Sequence, residues 1–204
     1  MLTTLPTVKS RLALDPFDPT HDSILTAAIS AFSARFDREC NRTFARSVDL
    51  AQEFCADEIE IPVNCYPIES VTRFELKSTQ APGWTAQTNV DYLIRRACVI
   101  SLAVPLSPHP PSTVPRLARL IYTGGFVLPA APDPTPVDPD HPPKRLPSDL
   151  ENAATEQIAF WFQNRDKLGQ IRNWPAGGNY IQLADTDLLP SVRVLLRRYT
   201  RIIL

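Results

Sequence analysis

The chain has 204 residues, 44% of them hydrophobic and 21% charged, with a formal net charge of −1. That length suits one domain with its own core, or one domain plus a substantial appendage, and that composition excludes a chain disordered throughout. Near-neutrality excludes a global attraction to nucleic acid or anionic membrane, leaving local clusters as the only charged contact surfaces.

In chain order, Thr4 is placed to cap a short helix reaching residue 14, with Pro6 tolerated in its first turn and Val8 and Leu12 on one side. Asp15, Pro16, Asp18 and Pro19 break it. The spacing of Leu25, Ala28, Ile29, Phe32 and Phe36 predicts a longer helix over 20–40, ended by Asn41. From residue 46 to 122 the pattern changes to short β-type runs, at 48–54, 58–61, 68–76, 92–94, 99–102 and 117–122. With no crossover helix between them, these predict an antiparallel meander, and the alternation of Thr72, Phe74 and Leu76 with Arg73, Glu75 and Lys77 predicts one wet face.

Gly124-Gly125 closes the sheet, and the proline-rich stretch 129–147 is expected to run as an extended surface strap without helix or ladder. Ser148 and Glu151 have the spacing of a capping box opening a helix to residue 168, which buries Leu150, Ala153, Ala154, Ile158, Trp161 and Phe162 and stops at Gly169. A loop through Trp174, Pro175, Gly177 and Gly178 leads to the last segment, 188–204. There Leu188, Val192, Leu195, Leu196, Tyr199, Ile202 and Ile203 recur at helical spacing, while Arg193, Arg197 and Arg201 lie four apart and Arg198 adds a fourth cation. An amphipathic end of this kind predicts a docking surface, on its own domain or on another subunit. The expected organisation is α+β: helices at both ends around a central antiparallel β meander, one domain over 1–187, and a docking helix over 188–204.

Chemistry is sparse. Cys40, Cys55, Cys65 and Cys98 form no CxxC pair, which argues for small core thiols in a reducing compartment rather than a zinc site. No apolar run approaches the roughly 20 residues that span a bilayer, so a soluble protein is expected. His21, His109 and His141 lack triad partners at a suggestive spacing. The pairs Asp57/Glu58 and Asp185/Asp187 are ordinary loop neighbours, and Gly124-Gly125 and Gly177-Gly178 lack the flanks of a phosphate-binding loop. Trp84, Trp161 and Trp174 have arginine neighbours that would suit base stacking, but no RNP-like motif accompanies them. No catalytic, cofactor or metal residue is assigned, and a non-enzymatic role is expected.

The order of motifs resembles the head-to-tail connector, or adaptor, proteins of long-tailed bacteriophages and gene-transfer agents. Leu5-Pro6-Thr7-Val8-Lys9-Ser10-Arg11-Leu12 is similar to that family's opening helix, and Cys40-Asn41-Arg42-Thr43-Phe44 to the end of its second helix. Tyr66-Pro67-Ile68-Glu69-Ser70-Val71 resembles its "Pro-Ile-x-Ser-Val" strand, Val90-Asp91-Tyr92-Leu93-Ile94 its "Asp-Tyr" strand, and Arg119-Leu120-Ile121-Tyr122-Thr123-Gly124-Gly125-Phe126 its "Val-x-Tyr-x-Gly-Gly-Tyr" strand and turn. The helix after Leu146-Pro147-Ser148-Asp149-Leu150 and the ending from Leu188-Leu189-Pro190-Ser191-Val192 through Arg197-Arg198-Tyr199 continue the likeness. Two departures stand out: Asn41 where glycine is frequent, and a proline strap longer than the usual link.

The resemblance implies a structural ring, commonly dodecameric, beneath the capsid portal of a virion. It would be assembled in the bacterial cytoplasm, take the tail or a head-completion protein on its other side, and let DNA pass through its channel. It implies no cofactor and no membrane partner. Portal or subunit binding falls to Leu188, Val192, Arg193, Leu195, Leu196, Arg197, Arg198, Tyr199, Arg201, Ile202 and Ile203. The alternative is a nucleic-acid-binding module that sets the four C-terminal arginines on phosphates.

Overall fold

A computed structural model of the chain describes residues 1–77, 83–107, 116–136, 138–165, 171–172, 181–182 and 187–201. They divide into two units: Met1–Cys40 with Pro147–Thr200, and Asn41–Leu146 with Arg201–Leu204.

The first unit gathers helices from both ends of the chain. Thr4 accepts the Thr7 N–H at 3.3 Å and opens α1, Leu5–Arg11, with proline in its first turn. Helix α2, Asp22–Glu39, buries Leu25, Ala28, Ile29, Phe32 and Phe36, the five positions whose spacing predicted the helix. Helix α3, Ser148–Asn164, packs against α1, α2 and the short α4, Pro190–Leu196.

Two expectations are corrected here. Pro147, not Ser148, occupies the N-cap of α3, and no side chain caps it; Asp149 instead accepts the Leu150 N–H at 2.8 Å. With Asp149 and Glu151 in its first turn, α3 has negative charge where its dipole is positive. Trp161 is half-buried rather than in the core, and two polar residues, Thr155 and Gln157, are buried in its place. The expected stop at Gly169 and the loop through Trp174, Pro175, Gly177 and Gly178 lie outside the described residues. A two-stranded antiparallel pair, β10 (Ile171–Arg172) with β11 (Ile181–Gln182), falls between α3 and α4 in sequence.

The second unit is the sheet. Its four-stranded part runs in the order β1 (Ser47–Cys55), β7 (Leu117–Gly124), β3 (Ile68–Lys77), β4 (Thr85–Gln87), all antiparallel. A second sheet orders β2 (Glu60–Pro62), β6 (Val99–Leu102) and β5 (Tyr92–Arg95), also antiparallel. The α+β class and antiparallel pairing agree with the sequence reading. Only β3 and β4 are consecutive neighbours in the main sheet, however, because β7 inserts between β1 and β3. Strand β7 has the longest run of buried residues, Leu120 to Gly124, and a central position gives both its edges a partner.

The register of β3 shifts between Ile68 and Ser70 and between Val71 and Arg73 but is regular from Arg73 to Lys77; Glu75 is buried where a wet face was expected, and its carboxylate is paired there with Arg73 and Arg119. Phe54, Ile61, Ile68, Ile100, Leu120 and Tyr122 form the centre of this unit's core. The proline strap is also tied down. Lys144–Arg145 (β9) pairs in parallel with Phe126–Val127 (β8), and the Leu146 N–H donates to the Val127 carbonyl at 3.0 Å. Prolines forbid a ladder only where they stand, and residues 144–146 carry free N–H groups.

Candidate docking face

The C-terminal segment is seated within the first unit by three devices. Gln157, 1% exposed on α3, donates its amide nitrogen to the Asp187 carbonyl at 3.3 Å and accepts the Leu189 N–H at 2.8 Å. The Asp187 carboxylate takes Arg35 at 3.0 Å and also pairs with Arg193. Tyr199 donates its hydroxyl to the Asp149 carboxylate at 2.8 Å.

Pro190 begins α4, where a missing N–H costs nothing. The helix ends at Leu196, where the Arg198 and Tyr199 N–H groups turn to the Leu195 and Leu196 carbonyls in a tightened last turn; the Leu196 carbonyl also accepts the Thr200 hydroxyl at 3.1 Å and the Cys40 thiol at 3.5 Å. Of the helix expected over 188–204, the described residues form a single pair of turns, Pro190–Leu196, and 202–204 lie outside them.

The apolar stripe is sheltered by its own chain. Leu188, Val192 and Leu196 are buried at 4%, 1% and 3% exposure against the helices of this unit, so they anchor α4 instead of waiting for a partner. Leu195 and Tyr199 are half-buried. The outward face of α4 carries Arg193, Val194, Arg197 and Arg198, with Val194 59% exposed. Arg197 and Arg198 have no acidic partner among the described residues.

Arg201 does not continue that row. It belongs to the sheet unit, where its guanidinium donates to the Pro62 carbonyl at 2.7 Å and to the Asn64 side chain. Ile202 and Ile203 lie outside the described residues.

Along α2, with Trp161 of α3 on one side, runs an open groove of about 520 Å3 lined by Ala27, Ala31 and Trp161 together with Arg35 and Arg38. Trp161 meets Phe32 edge-on at 6.3 Å. Trp84 in the sheet unit is covered by its own chain's cations, Arg119 at 4.4 Å and Lys77 at 5.4 Å. Burial acts to raise the Glu75 carboxyl, but hydrogen bonds from Arg73 and Arg119 outweigh it and hold the group below the usual range.

His21 packs edge-on against Phe162 at 5.2 Å, and His141 pairs with Asp138 at 3.0 Å; His109 and Asp185 lie outside the described residues. No helix is long and apolar enough to cross a membrane among the described residues, nor do those residues gather three or more His, Cys, Asp or Glu side chains around a metal-sized site.

Sequence reasoning missed Gln157 and Asp187 as the residues that place α4. A signal for Gln157 exists: it stands on the apolar stripe of α3, between the buried Ala153 and Ala154 and the buried Ile158. A polar residue on a buried stripe has to find partners there. For Asp187, which pairs with Arg193 six residues on and with the distant Arg35, there is no local signal for the second partner.

No protein-family model matches this chain, and no curated protein matches it. Among solved structures it matches a chain from the neck of an empty GTA particle computed with C6 symmetry, at 15% identity and a TM-score of 0.56, covering 98% of this chain and 91% of that one. It also matches a chain from the virion of a native gene transfer agent (GTA) particle, at 15% identity and a TM-score of 0.54, covering 100% of this chain and 95% of that one. At that identity the likeness is one of fold, and over essentially its whole length this chain has the fold of those particle proteins.

Proposed function

We propose that this protein is a structural adaptor at the head-to-tail junction of a phage-like particle, a ring subunit that joins the portal to a tail or head-completion protein and leaves a channel for DNA. The observation that carries this reading is the likeness of fold to neck and virion chains of gene transfer agent particles, over 98% and 100% of this chain. The motif order from Leu5 to Tyr199 supports it independently. A closed ring requires two different faces on each subunit, and a chain of net charge −1 suits a conduit that must release phosphates rather than hold them.

In this reading Leu188, Val192 and Leu196 anchor α4, while Arg193, Val194, Arg197 and Arg198 form the face offered to the portal. One such face binds weakly. Covering Val194 contributes at most about 1.5 kcal/mol, and each exposed arginine contact about 0–1 kcal/mol. Repetition around a ring turns weak contacts into a firm joint, because every contact after the first is intramolecular.

The rival reading sets four arginines on nucleic-acid phosphates. Arg193 is already paired with Asp187, and Arg201 with Pro62 and Asn64, which leaves Arg197 and Arg198. Two cations support only a shallow salt dependence and a weak affinity.

Particles assembled without this protein test the adaptor reading. The expected outcome by electron microscopy is DNA-filled heads separate from tails. A normal yield of tailed particles would overturn it.

A further inference from the structure

Phe17 is 92% exposed, the most exposed large apolar side chain among the described residues. It does not sit on a slack loop. The ammonium of Lys9, itself buried, donates to the Pro16 carbonyl at 3.2 Å and the Asp18 carbonyl at 2.8 Å, and pairs with Asp22 at 2.5 Å. The Asp15 carboxylate accepts the Phe17 N–H at 2.9 Å, and Asp18 accepts the Thr20 N–H at 2.9 Å. Burying a lysine to hold two loop carbonyls is costly unless the loop's shape matters. The result is a rigid turn that presents one aromatic ring between two aspartates.

The same unit contains a site of opposite character. The groove along α2 is lined by the apolar Ile24, Ala27, Ala31 and Trp161 and by two cations, Arg35 and Arg38. Arg35 is committed to Asp187 at 3.0 Å and lies 3.8 Å from Glu39, whereas Arg38 is exposed and has no ion-pair partner among the described residues. With Phe17 almost wholly in solvent, the groove is not filled by its own chain's knob.

We infer that the Phe17 turn of one copy docks in the α2 groove of the next, the ring entering among Ile24, Ala31 and Trp161 while Asp15 and Asp18 face Arg38. This rests on the ring reading above and specifies its subunit contact. Knob and groove are different surfaces of one chain, so the contact repeated in one direction is heterologous and propagates from copy to copy until a ring closes. A buried phenylalanine covers about 150–250 Å2, well short of the roughly 800 Å2 per partner of a stable interface. The contact therefore sets register and adds to other ring contacts rather than holding a dimer alone.

The test places the photo-reactive p-benzoylphenylalanine at position 17 of the full chain. Cross-links are mapped in purified particles and in concentrated free protein, with an isotope-labelled second copy to separate inter-chain from intra-chain products. The expected product joins position 17 to the α2 peptide or the Trp161 peptide of a different copy. Alongside it, Phe17→Ser and Arg38→Asp should each weaken self-association about tenfold by sedimentation while thermal unfolding stays at the wild-type temperature, and Arg38→Lys should restore most of the loss. A cross-link elsewhere on this chain or to another particle protein overturns the inference. So does the absence of any cross-link in both samples, or a Phe17→Ser chain that associates as tightly as wild type. The adaptor reading fails separately, if particles lacking the protein still carry tails.

Discussion

At the scale of single residues, Tyr122 and Gly125 show how tightly the sheet unit is built. Burial pushes the Tyr122 hydroxyl up to about 12 from 10.0, even though the Cys65 N–H donates to its oxygen at 3.0 Å and acts in the opposite direction. The unfolded chain ionises near the lower value and the folded chain near the higher, so the folded state binds the proton more tightly. The resulting stability is complete below pH 10.0 and is lost as pH rises toward about 12. Alkaline unfolding followed by circular dichroism should show this loss across that window. Tyr122→Phe should flatten the slope while costing about 1 kcal/mol at neutral pH through the lost hydrogen bond; a variant with the wild-type alkaline slope would assign the effect elsewhere.

Gly125 has a φ of +103°, and a Cβ there would lie 2.7 Å from the Ala45 carbonyl oxygen. Strain of that kind costs about 1–3 kcal/mol, before the clash with backbone is added. Gly125→Ala should therefore lower the urea midpoint without changing the slope of the transition. An unchanged midpoint would mean that the turn relaxes freely.

At the scale of elements, α4 is held by α3. Gln157→Leu keeps nearly the same shape but leaves the Asp187 carbonyl and Leu189 N–H without their partner, at about 1–3 kcal/mol. Hydrogen exchange should speed up in Val192 to Leu196 first, because the lost bonds fix the entry to that helix. Equal protection in both proteins would show that the apolar anchor alone suffices. The outward face separates docking from folding: Val194→Asp, Arg197→Glu and Arg198→Glu together touch exposed positions only. That triple variant should unfold at the wild-type temperature yet lose at least tenfold in affinity for isolated portal rings by surface plasmon resonance. Undiminished binding would move the portal contact to another face.

At the scale of the whole molecule, charge balance decides between the two functional readings. With a net charge of −1 and two of the four C-terminal arginines engaged within the chain, binding to duplex DNA should be weak and nearly flat in salt. Fluorescence anisotropy at low ionic strength measures this directly. A steep loss of affinity with added salt would favour the phosphate-binding reading over the adaptor.

Much of the architecture was legible without coordinates, because it rests on local periodicity. The buried face of α2 follows from the spacing of Leu25, Ala28, Ile29, Phe32 and Phe36, the cap of α1 from Thr4, and six strands from β-type runs between turn residues. What periodicity cannot say is which surface a stripe will meet. The sequence makes Leu188, Val192 and Leu196 an apolar face in search of cover; only the tertiary structure decides that this unit's own helices cover it and that the opposite, arginine-bearing face is left outward. The same holds for the insertion of β7 between β1 and β3, for Gln157 as the clamp of α4, and for Phe17 standing clear of its own groove. Each depends on pairings between residues far apart in the chain, and the free energy of those pairings is set by the final packing rather than by any local pattern.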